Sequence, residues 1–304
     1  MNHAAPPWHT ACPLCLEPPR PRMLRDLAAF ECPSCGFLWL SDRSPASGYE
    51  ESGIDLSAEK LHMRKRNCRN RVAMISKHIS LDRLCDVGCG EGLFVAAVRD
   101  RGYSDPMGLE PSSASVSYGR SIGLSIEQGM VEDYPARFSG RPRDVVTLFH
   151  VIEHLVDPFE TMRMFRRVLR PGSYVVIETP NIQSYSARQW GDRWRFIYRQ
   201  HLSYFSPSTL RTCLEQAGFR ILVQSQQDFD RNFLPWGELK LRLGLRKMPS
   251  LPEWHSTKAP TVPSQNTEHI SRPNRLKSGI RIFLSALVGW LGRRDQLWVI
   301  AQVP

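Results

Sequence analysis

Extended apolar segments are missing from this sequence of 304 residues. No stretch reaches the roughly 18 to 20 apolar residues that a helix needs to cross a bilayer. The residues that follow Met1 also lack the apolar centre of a signal peptide. We therefore expect neither a membrane-spanning helix nor a signal peptide, and we expect a cytoplasmic location.

A disulfide framework of the secreted type is also missing, although the chain has eight cysteines. Four of them form two CxxC pairs, Cys12 with Cys15 and Cys32 with Cys35, and the other four are scattered. A CxxC turn directs both sulfurs to one spot, so two such turns can complete a tetrahedron of thiolates around Zn²⁺, with no ligand position left for a substrate water. A thioredoxin-like redox motif would instead need a single CxxC at a strand–helix junction.

The segment around these pairs is poor in apolar residues, so a bound metal would supply most of its folding energy. The 16 residues between the two pairs are typical of zinc ribbons. We predict that residues 1–45 form a structural zinc ribbon, and the sequence does not decide whether the ribbon touches substrate.

Acidic residues are fewer than basic ones, 30 against 40, which gives a formal charge of +10. Such an excess favours anionic partners, such as nucleic acid, phosphorylated small molecules or an acidic membrane surface. A basic surface without such a partner explains the same number, because a count of charges carries no geometry. The 41% of apolar residues is ordinary for a globular protein and allows a buried core.

Strands and helices alternate through most of the chain. A helix is predicted at 58–80, with an apolar stripe on one side and arginines over much of the rest. Predicted strands follow at 83–88, 106–111, 124–129, 144–151, 173–181 and 219–225, with helical segments between them. This alternation predicts crossover connections and therefore an α/β fold with a parallel sheet covered on both faces. Residues 229–279 read as a mobile insertion rich in Pro, Ser, Thr and Asn over 249–279.

The turn after the first of these strands, CDVGCGEG, contains Gly88, Gly90 and Gly92. In an open α/β sheet, ligands bind beyond the carboxyl ends of the strands. Glycines there allow the backbone to approach a ligand, and free N–H groups favour an anion. The dinucleotide fingerprint G-x-G-x-x-G is not met, because Leu93 stands in place of its third glycine.

Two acids restrict the ligand further. Asp86 ends the first strand, where a carboxylate would repel a pyrophosphate but suit a cationic amine. Glu110 ends the second strand, the position from which a carboxylate binds ribose hydroxyls in nucleotide-binding sheets. A ligand that presents both an amino-acid group and a ribose is S-adenosylmethionine (SAM). We therefore expect SAM as the cofactor.

The segments CDVGCGEG, GLEP, DVVTLFHVIEHLVDP, VLRPGSYVVIETPN, HLSYFSPSTL and AGF resemble class I SAM-dependent methyltransferases. The closest resemblance is to a bacterial small-molecule group whose members often carry an N-terminal zinc ribbon, and it covers residues 60–228 and the last strand. It implies a Rossmann-like sheet of seven strands in the order 3214576, with an antiparallel last strand at 296–304 and a helix at 280–291 before it.

The resemblance also implies a set of cofactor-binding residues. They are Asp86, Gly88, Cys89, Gly90, Gly92, Glu110, Met130, Val131 and Phe149. The acid that often binds the adenine amine after the third strand is absent, because Met130 follows Gly129. Glu132 or Asp133 are its expected substitutes.

Methyl transfer depends on alignment of the acceptor with the sulfonium methyl, and an oxygen or nitrogen acceptor must also lose a proton. The candidate catalytic bases are His150, His154 and His201. In quinone-pathway relatives an E-x-x-E-H segment binds a divalent metal; here His150 replaces the first carboxylate, so we expect no catalytic metal. A hydrogen bond between Glu153 and His154, or packing by His201, are the structural alternatives.

The segment at 188–201 interleaves arginines with bulky rings, and we interpret it as a lid over the acceptor, with a surface turn as the alternative. The basic and apolar helix at 275–291 is expected to cap the sheet, and peripheral membrane contact is its other interpretation. The predicted division is a ribbon at 1–45, a linker and helix at 46–83, and a SAM-binding methyltransferase domain at 84–304.

The sequence thus predicts methyl transfer from SAM to a small-molecule acceptor, such as a sugar, a glycolipid or another metabolite, by O- or N-methylation. A ribosomal or transfer RNA methyltransferase is the alternative that the positive charge favours, although no RNA-binding module is legible. A non-catalytic scaffold that binds SAM is the third interpretation, since an intact cofactor site does not prove turnover.

Overall fold

The structure, a computed structural model, describes residues 8–44, 57–227 and 294–304. Its strands are β1 (Arg20–Leu24), β2 (Leu27–Glu31), β3 (Leu38–Leu40), β4 (Leu84–Val87), β5 (Met107–Glu110), β6 (Ile126–Gln128), β7 (Val145–Phe149), β8 (Tyr174–Pro180), β9 (Ser203–Tyr204), β10 (Arg220–Gln227) and β11 (Gln296–Gln302). Its α-helices are α1 (Ala58–Ile75), α2 (Leu93–Arg99), α3 (Ser113–Ser121), α4 (Tyr134–Phe138), α5 (Pro158–Val168), α6 (Tyr185–Trp190) and α7 (Pro207–Gln216).

Seven strands form one sheet in the order β6-β5-β4-β7-β8-β11-β10. Strand β11 runs antiparallel to both of its neighbours, whereas the pairs from β6 through β8 are parallel. Numbered from β4 as the first strand, the order is 3214576 with a reversed last strand. The predicted α/β fold and its topology are therefore confirmed.

The central strands are apolar because both faces of the sheet are covered. In β8, Val175, Val176 and Ile177 have no exposed surface. Helix α1 covers one face, where Val72 and Ile75 pack in one cluster with residues of α2 and β11. This packing places α1 beside the turn that contains Gly88, Gly90 and Gly92.

The helices begin where local sequence rules place them. Asp157 accepts a hydrogen bond from the Glu160 N–H and is followed by Pro158 at the first position of α5. Ser206 caps α7 in the same way, also with a proline next to it. These caps fix the chain direction immediately after the segments that contain the predicted catalytic histidines.

The ribbon shares a sheet with the methyltransferase part of the chain. Strands β1, β2 and β3 form an antiparallel sheet, and β9 pairs with β3 through Leu38 opposite Tyr204 and Trp39 opposite Ser203. Phe37 packs 5.4 Å from Phe159 and 5.5 Å from Phe205, measured between ring centroids. The ribbon is therefore packed onto the segment that follows His201.

Some predicted elements differ from the structure. Helix α1 ends at Ile75 rather than near residue 80, and α2 starts at Leu93 because Gly92 has a left-handed conformation. Helices α4 and α6 and strand β9 were not predicted; they have two to six residues, too short for a clear periodicity. The predicted helix at 280–291 and the predicted insertion at 229–279 lie outside the described residues. Among the described helices, none combines the length and apolar character that crossing a membrane requires.

Arg43 links the ribbon to the rest of the fold. Its guanidinium donates hydrogen bonds to the carbonyl oxygens of Leu155, Val156 and Leu202, at 2.9, 2.8 and 2.9 Å. It also lies 3.8 Å from the ring centroid of Trp8. One side chain thus satisfies carbonyl groups on both segments that flank the histidine cluster.

We predict that Arg43→Ala lowers the free energy of unfolding by about 2 to 4 kcal/mol, because these carbonyl groups lose a charged donor. Arg22→Ala is the matched control: Arg22 makes an exposed ion pair with Glu31, and its loss should cost less than about 1 kcal/mol. Urea unfolding curves measure both values. Equal losses in the two variants would contradict a bracing role for Arg43.

Candidate functional site

The glycine turn lies between β4 and α2; its backbone is exposed at Gly88, half-buried at Gly90 and buried at Gly92. Gly88, Gly90 and Gly92 have φ values of 71°, 54° and 78°. A Cβ atom on Gly88 would lie 2.6 Å from Val151, and one on Gly92 would lie 2.6 Å from Leu124. A Cβ on Gly90 would meet only the Arg64 guanidinium, at 3.9 Å. Gly88 and Gly92 are therefore required by packing, whereas Gly90 leaves room for a ligand to approach the backbone.

Asp86 lies beside this turn on β4 and is almost completely buried. It accepts a hydrogen bond of 2.6 Å from the Thr147 hydroxyl of the adjacent strand β7. Burial raises the pKa of the Asp86 carboxyl to about 7, and the Thr147 hydroxyl and the Arg71 guanidinium only partly oppose that rise. A cationic group placed next to Asp86 would favour its ionised form.

Glu110 ends the neighbouring strand β5, as predicted. Its carboxylate accepts hydrogen bonds from the Gly90 N–H at 2.9 Å and the Ser112 N–H at 3.0 Å. Burial raises the pKa of Glu110, and these two N–H groups oppose the rise. A carboxylate offers about four acceptor positions, so two further donors, such as ribose hydroxyls, can still be accepted.

Met130 and Val131 follow β6 at the same edge of the sheet. The Met130 side chain is 42% exposed, whereas Val131 is buried. The Met130 N–H donates to the Asp133 carboxylate at 2.9 Å, so Asp133 stabilises this turn. The exposed thioether leaves an apolar surface against which an adenine ring can pack.

Cys89 and Phe149 complete the set of predicted cofactor-binding residues. Cys89 is buried, and its sulfur would lie 2.4 Å from a Cβ atom on Gly108. The Phe149 ring ends β7 and packs edge-on against Phe94, with 4.8 Å between centroids. The carboxyl-end edge of the sheet therefore brings together all nine residues, and its acid pair, open backbone and apolar surface fit SAM.

A chain of alternating charges lies at the ends of β7 and β8. Arg71 of α1 forms two hydrogen bonds with Glu178 of β8, at 2.7 and 2.8 Å. Glu178 is also 3.4 Å from Nε2 of His150, whose Nδ1 is 3.2 Å from Glu153. The Glu153 carboxylate in turn accepts a hydrogen bond of 2.9 Å from the Thr179 hydroxyl.

His150 is held as a cation by this chain. Burial alone would lower its pKa, but the hydrogen bonds to Glu153 and Glu178 raise it to about 9. His150 also has a φ of 57°, which is uncommon for a residue with a side chain. Its N–H donates to the Glu178 carbonyl oxygen at 2.8 Å, and this bond stabilises the left-handed backbone.

The other two histidines, His154 and His201, have lowered pKa values, which favour their neutral form. Burial lowers the pKa of His154, and it lowers the pKa of His201 to about 3. Nδ1 of His154 lies 2.8 Å from the Gln200 carbonyl oxygen and therefore donates to it, so Nε2 is the atom that can accept a proton. His201 is 1% exposed, and its Nε2 is hydrogen-bonded to the Tyr198 hydroxyl.

Glu153, His154 and His201 bring three metal-ligating atoms within 4.8 Å of one another. Both oxygens of Glu153 already have partners, His150 and Thr179. The absence of a catalytic metal therefore stays a prediction.

The segment at 188–201 covers the histidine cluster but is more buried than a surface lid. Trp194 and Ile197 are each 1% exposed. Between them, the Phe196 ring lies nearly parallel to the rings of His150 and His201, at 6.4 and 6.0 Å. The Arg195 guanidinium stacks over Phe196 at 4.4 Å. This segment thus forms an aromatic wall against His150 and His201.

The four ribbon cysteines converge as predicted. The sulfur of Cys12 is 3.6 Å from that of Cys35, and the sulfur of Cys15 is 3.3 Å from that of Cys32. All four sulfur atoms lie within 4.8 Å of one another. Zinc–sulfur bonds of about 2.3 Å in a tetrahedron require spacings of this size, so the donor set fits a structural zinc ion.

Four residues were not predicted from the sequence as site residues: Arg71, Glu178, Thr147 and Tyr198. Glu178 did leave a signal, because it is the one acid within the apolar segment SYVVIETPN. A buried carboxylate requires a cationic partner, and the arginine-rich helix at 58–80 is where that partner could have been sought. Thr147 and Tyr198 left no comparable signal.

Comparison with known proteins agrees with this geometry. Residues 60–224 match the family model described as "Methyltransferase domain". A solved SAM-dependent methyltransferase from Archaeoglobus fulgidus is 20% identical, with a TM-score of 0.50 over 81% of this chain and all of that chain. A Haloferax volcanii methyltransferase complex with the activator Trm112 gives a structural match with 18% identity and a TM-score of 0.51, over 81% of this chain and 93% of that chain.

Two curated relatives have similar sequences. A tRNA U34 carboxymethyltransferase from Methylococcus capsulatus is 26% identical over 57% of this chain and 54% of the relative. A ubiquinone biosynthesis O-methyltransferase from Stutzerimonas stutzeri is 32% identical over 36% of this chain and 50% of the relative. The chain spans about half the length of these curated relatives.

The family match covers more than half of the chain, and the sheet has the methyltransferase topology. This chain belongs to the methyltransferase-domain family. The expected methyltransferase family and the expected fold are thereby confirmed.

We predict one tightly bound zinc ion per chain, which elemental analysis of the purified protein measures. Cys32→Ser should lose the metal and unfold the ribbon, because three thiolates do not close the tetrahedron. Cys68→Ser is the control, since Cys68 is buried on α1 outside the ribbon, and it should retain the zinc. A wild-type protein without zinc would refute the assignment.

We predict that His150 titrates near pH 9 in the folded protein, which NMR can measure, with His150→Gln used to assign its signals. Since this pKa lies above the unfolded value of about 6.5, the stabilisation is complete below that value and is lost as the pH rises through 9. Glu153→Gln should lower the His150 pKa by about 1 to 2 units. Glu160→Gln, at an exposed acid of α5, should leave it unchanged; a wild-type pKa below 7 would contradict the cationic state.

Proposed function

We propose that the protein catalyses methyl transfer from SAM to an acceptor bound beside the carboxyl end of β7. The observation that carries this proposal is the open backbone at Gly90 between Asp86 and Glu110. An acid that favours a cation and an acid that can accept hydroxyl donors flank an exposed turn. This arrangement supports binding of an amino acid and a ribose within one ligand.

Each part of the cofactor has a residue that would hold it. Asp86 would hold the ammonium group, and Glu110 the ribose hydroxyls. Met130 and Val131 would pack against adenine, while the turn at Gly90 would approach the methionine end. When bound, SAM supplies a methyl group on a positively charged sulfur.

The three proposed catalytic histidines differ in protonation state and would therefore have different roles. His150 is already protonated near neutral pH, so it would orient the acceptor or stabilise negative charge on it rather than take its proton. His154 has a lowered pKa and an accepting Nε2, which suits a proton acceptor. His201 is buried and would position Tyr198 and the aromatic wall.

The acceptor that these features favour is a small molecule, such as a sugar, a glycolipid or another metabolite, methylated on oxygen or nitrogen. Phe196 and the buried residues around it leave the acceptor side closely covered, which suits a compact substrate and excludes water. The similarity to an O-methyltransferase of ubiquinone biosynthesis supports this choice.

An RNA acceptor is the second candidate. Its support is the formal charge of +10 and the similarity to a tRNA-modifying enzyme. A transfer assay with radiolabelled SAM across small-molecule, RNA and protein fractions of a cell extract separates the two. Binding of SAM without transfer to any fraction would favour a non-catalytic scaffold instead.

We predict that Asp86→Ala and Glu110→Ala each abolish SAM binding in isothermal titration calorimetry while the fold is retained. The physical reason is the loss of the carboxylates on β4 and β5 that lie beside the glycine turn. Glu127→Ala is the control, since Glu127 lies on the next strand and pairs with Arg141. Unchanged SAM affinity in both site variants would reject the cofactor site.

A further inference from the structure

The outer face of α1 carries a cluster of cations. Lys65, Arg66 and Arg69 are all exposed. No ion pair or hydrogen bond engages these three side chains within the described residues. Their spacing places them along about one turn of one helix face, with Lys65 and Arg69 about 6 Å apart along the axis.

The inner face of the same helix treats its arginines differently. Arg64 forms two hydrogen bonds with the buried Glu91, one of them 2.9 Å long. Arg71 pairs with the buried Glu178. The structure therefore neutralises the arginines that point inward and leaves the outward cations available, so the latter are not needed to stabilise the helix.

The cluster lies in a basic stretch of the chain. Residues 58–77 contain seven basic residues and one acid. Arg64 and Arg71 are paired with buried acids outside this stretch, so Lys65, Arg66 and Arg69 carry a local charge of +3. Arg64, the residue before Lys65 on the same helix, approaches the glycine turn: its guanidinium lies 3.9 Å from the position of a Cβ atom on Gly90. The cluster is therefore carried by the helix that borders the candidate cofactor site.

The composition of the face distinguishes between anionic partners. A helix that binds a membrane surface presents large apolar residues next to its cations. On α1 the apolar residues face inward: Cys68, Val72 and Ile75 are buried. The outward neighbours of the cations are the exposed polar residues His62 and Asn70. A face with cations and no apolar anchor favours a hydrated polyanion over a lipid surface.

We propose that the face formed by Lys65, Arg66 and Arg69 binds the phosphodiester backbone of a nucleic acid. The contacts are electrostatic and carry no base sequence. The nucleic acid would be docked next to the cofactor site, whether or not it also carries the methyl acceptor. The proposal therefore goes beyond methyl transfer and does not depend on the identity of the acceptor.

The test measures binding of a fluorescein-labelled, single-stranded RNA of about 20 nucleotides to the full-length protein by fluorescence anisotropy, as a function of salt. The triple variant Lys65→Gln, Arg66→Gln, Arg69→Gln should flatten the slope of log affinity against log salt by about 2, from about 0.7 for each lost phosphate contact. SAM affinity, measured on the same samples by calorimetry, should be unchanged, which separates this proposal from the proposed function.

The matched control removes three charges elsewhere: Arg101→Gln, Arg137→Gln, Arg170→Gln, at exposed arginines that lie after α2, in α4 and after α5. This variant should keep the wild-type slope. If the slope of log affinity against log salt flattens equally in both triple variants, net charge alone explains the effect and the proposal is wrong. RNA binding too weak to detect at 50 mM salt would also overturn the proposal. A third contradicting result would be binding to phosphatidylglycerol vesicles that competes with RNA and that is lost in the triple variant of Lys65, Arg66 and Arg69.

Discussion

The buried ion pair between Arg71 and Glu178 is the interaction on which the histidine cluster of His150, His154 and His201 depends. It joins α1 to β8 across 107 positions of sequence, and both side chains are largely removed from water. Breaking a buried pair leaves an uncompensated charge, which is far more costly than losing an exposed pair. Because Glu178 also contacts His150, the pair fixes a cation at the end of β7 and fixes its backbone in an uncommon conformation.

The ribbon has a structural place in the same region. Its sheet is completed by β9, which begins two residues after His201. Arg43 donates hydrogen bonds to carbonyl oxygens that follow His154 and His201. A zinc ion that stabilises the ribbon would therefore also stabilise the position of His154 and His201. The aromatic wall at Phe196 packs from the other side, so the neutral histidines lie between two rigid supports.

Much of the candidate cofactor site could be predicted from sequence, because the positions of its residues follow from local rules. Asp86 and Glu110 end neighbouring parallel strands, and carboxyl ends of parallel strands share one edge of a sheet. The spacing of the four ribbon cysteines is enough by itself to predict a zinc site. The pairing of β9 with β3 and the contact of Arg71 with Glu178 join distant segments, and no local pattern records such contacts. The charge state of His150 follows from these contacts, so sequence reasoning listed it as a base although the folded environment makes it a cation.

The charges around the site explain why a cationic cofactor is compatible with so much burial. Arg71, Glu178, His150 and Glu153 alternate in sign and sum to zero, so they create little net field at the sheet edge. Asp86 is then the group that responds to a ligand, because its pKa of about 7 lets a nearby cation ionise it at small cost. A neutral ligand would leave the carboxyl partly protonated and gain no ion pair. The buried aspartate thus favours ligands whose positive charge lies next to the glycine turn.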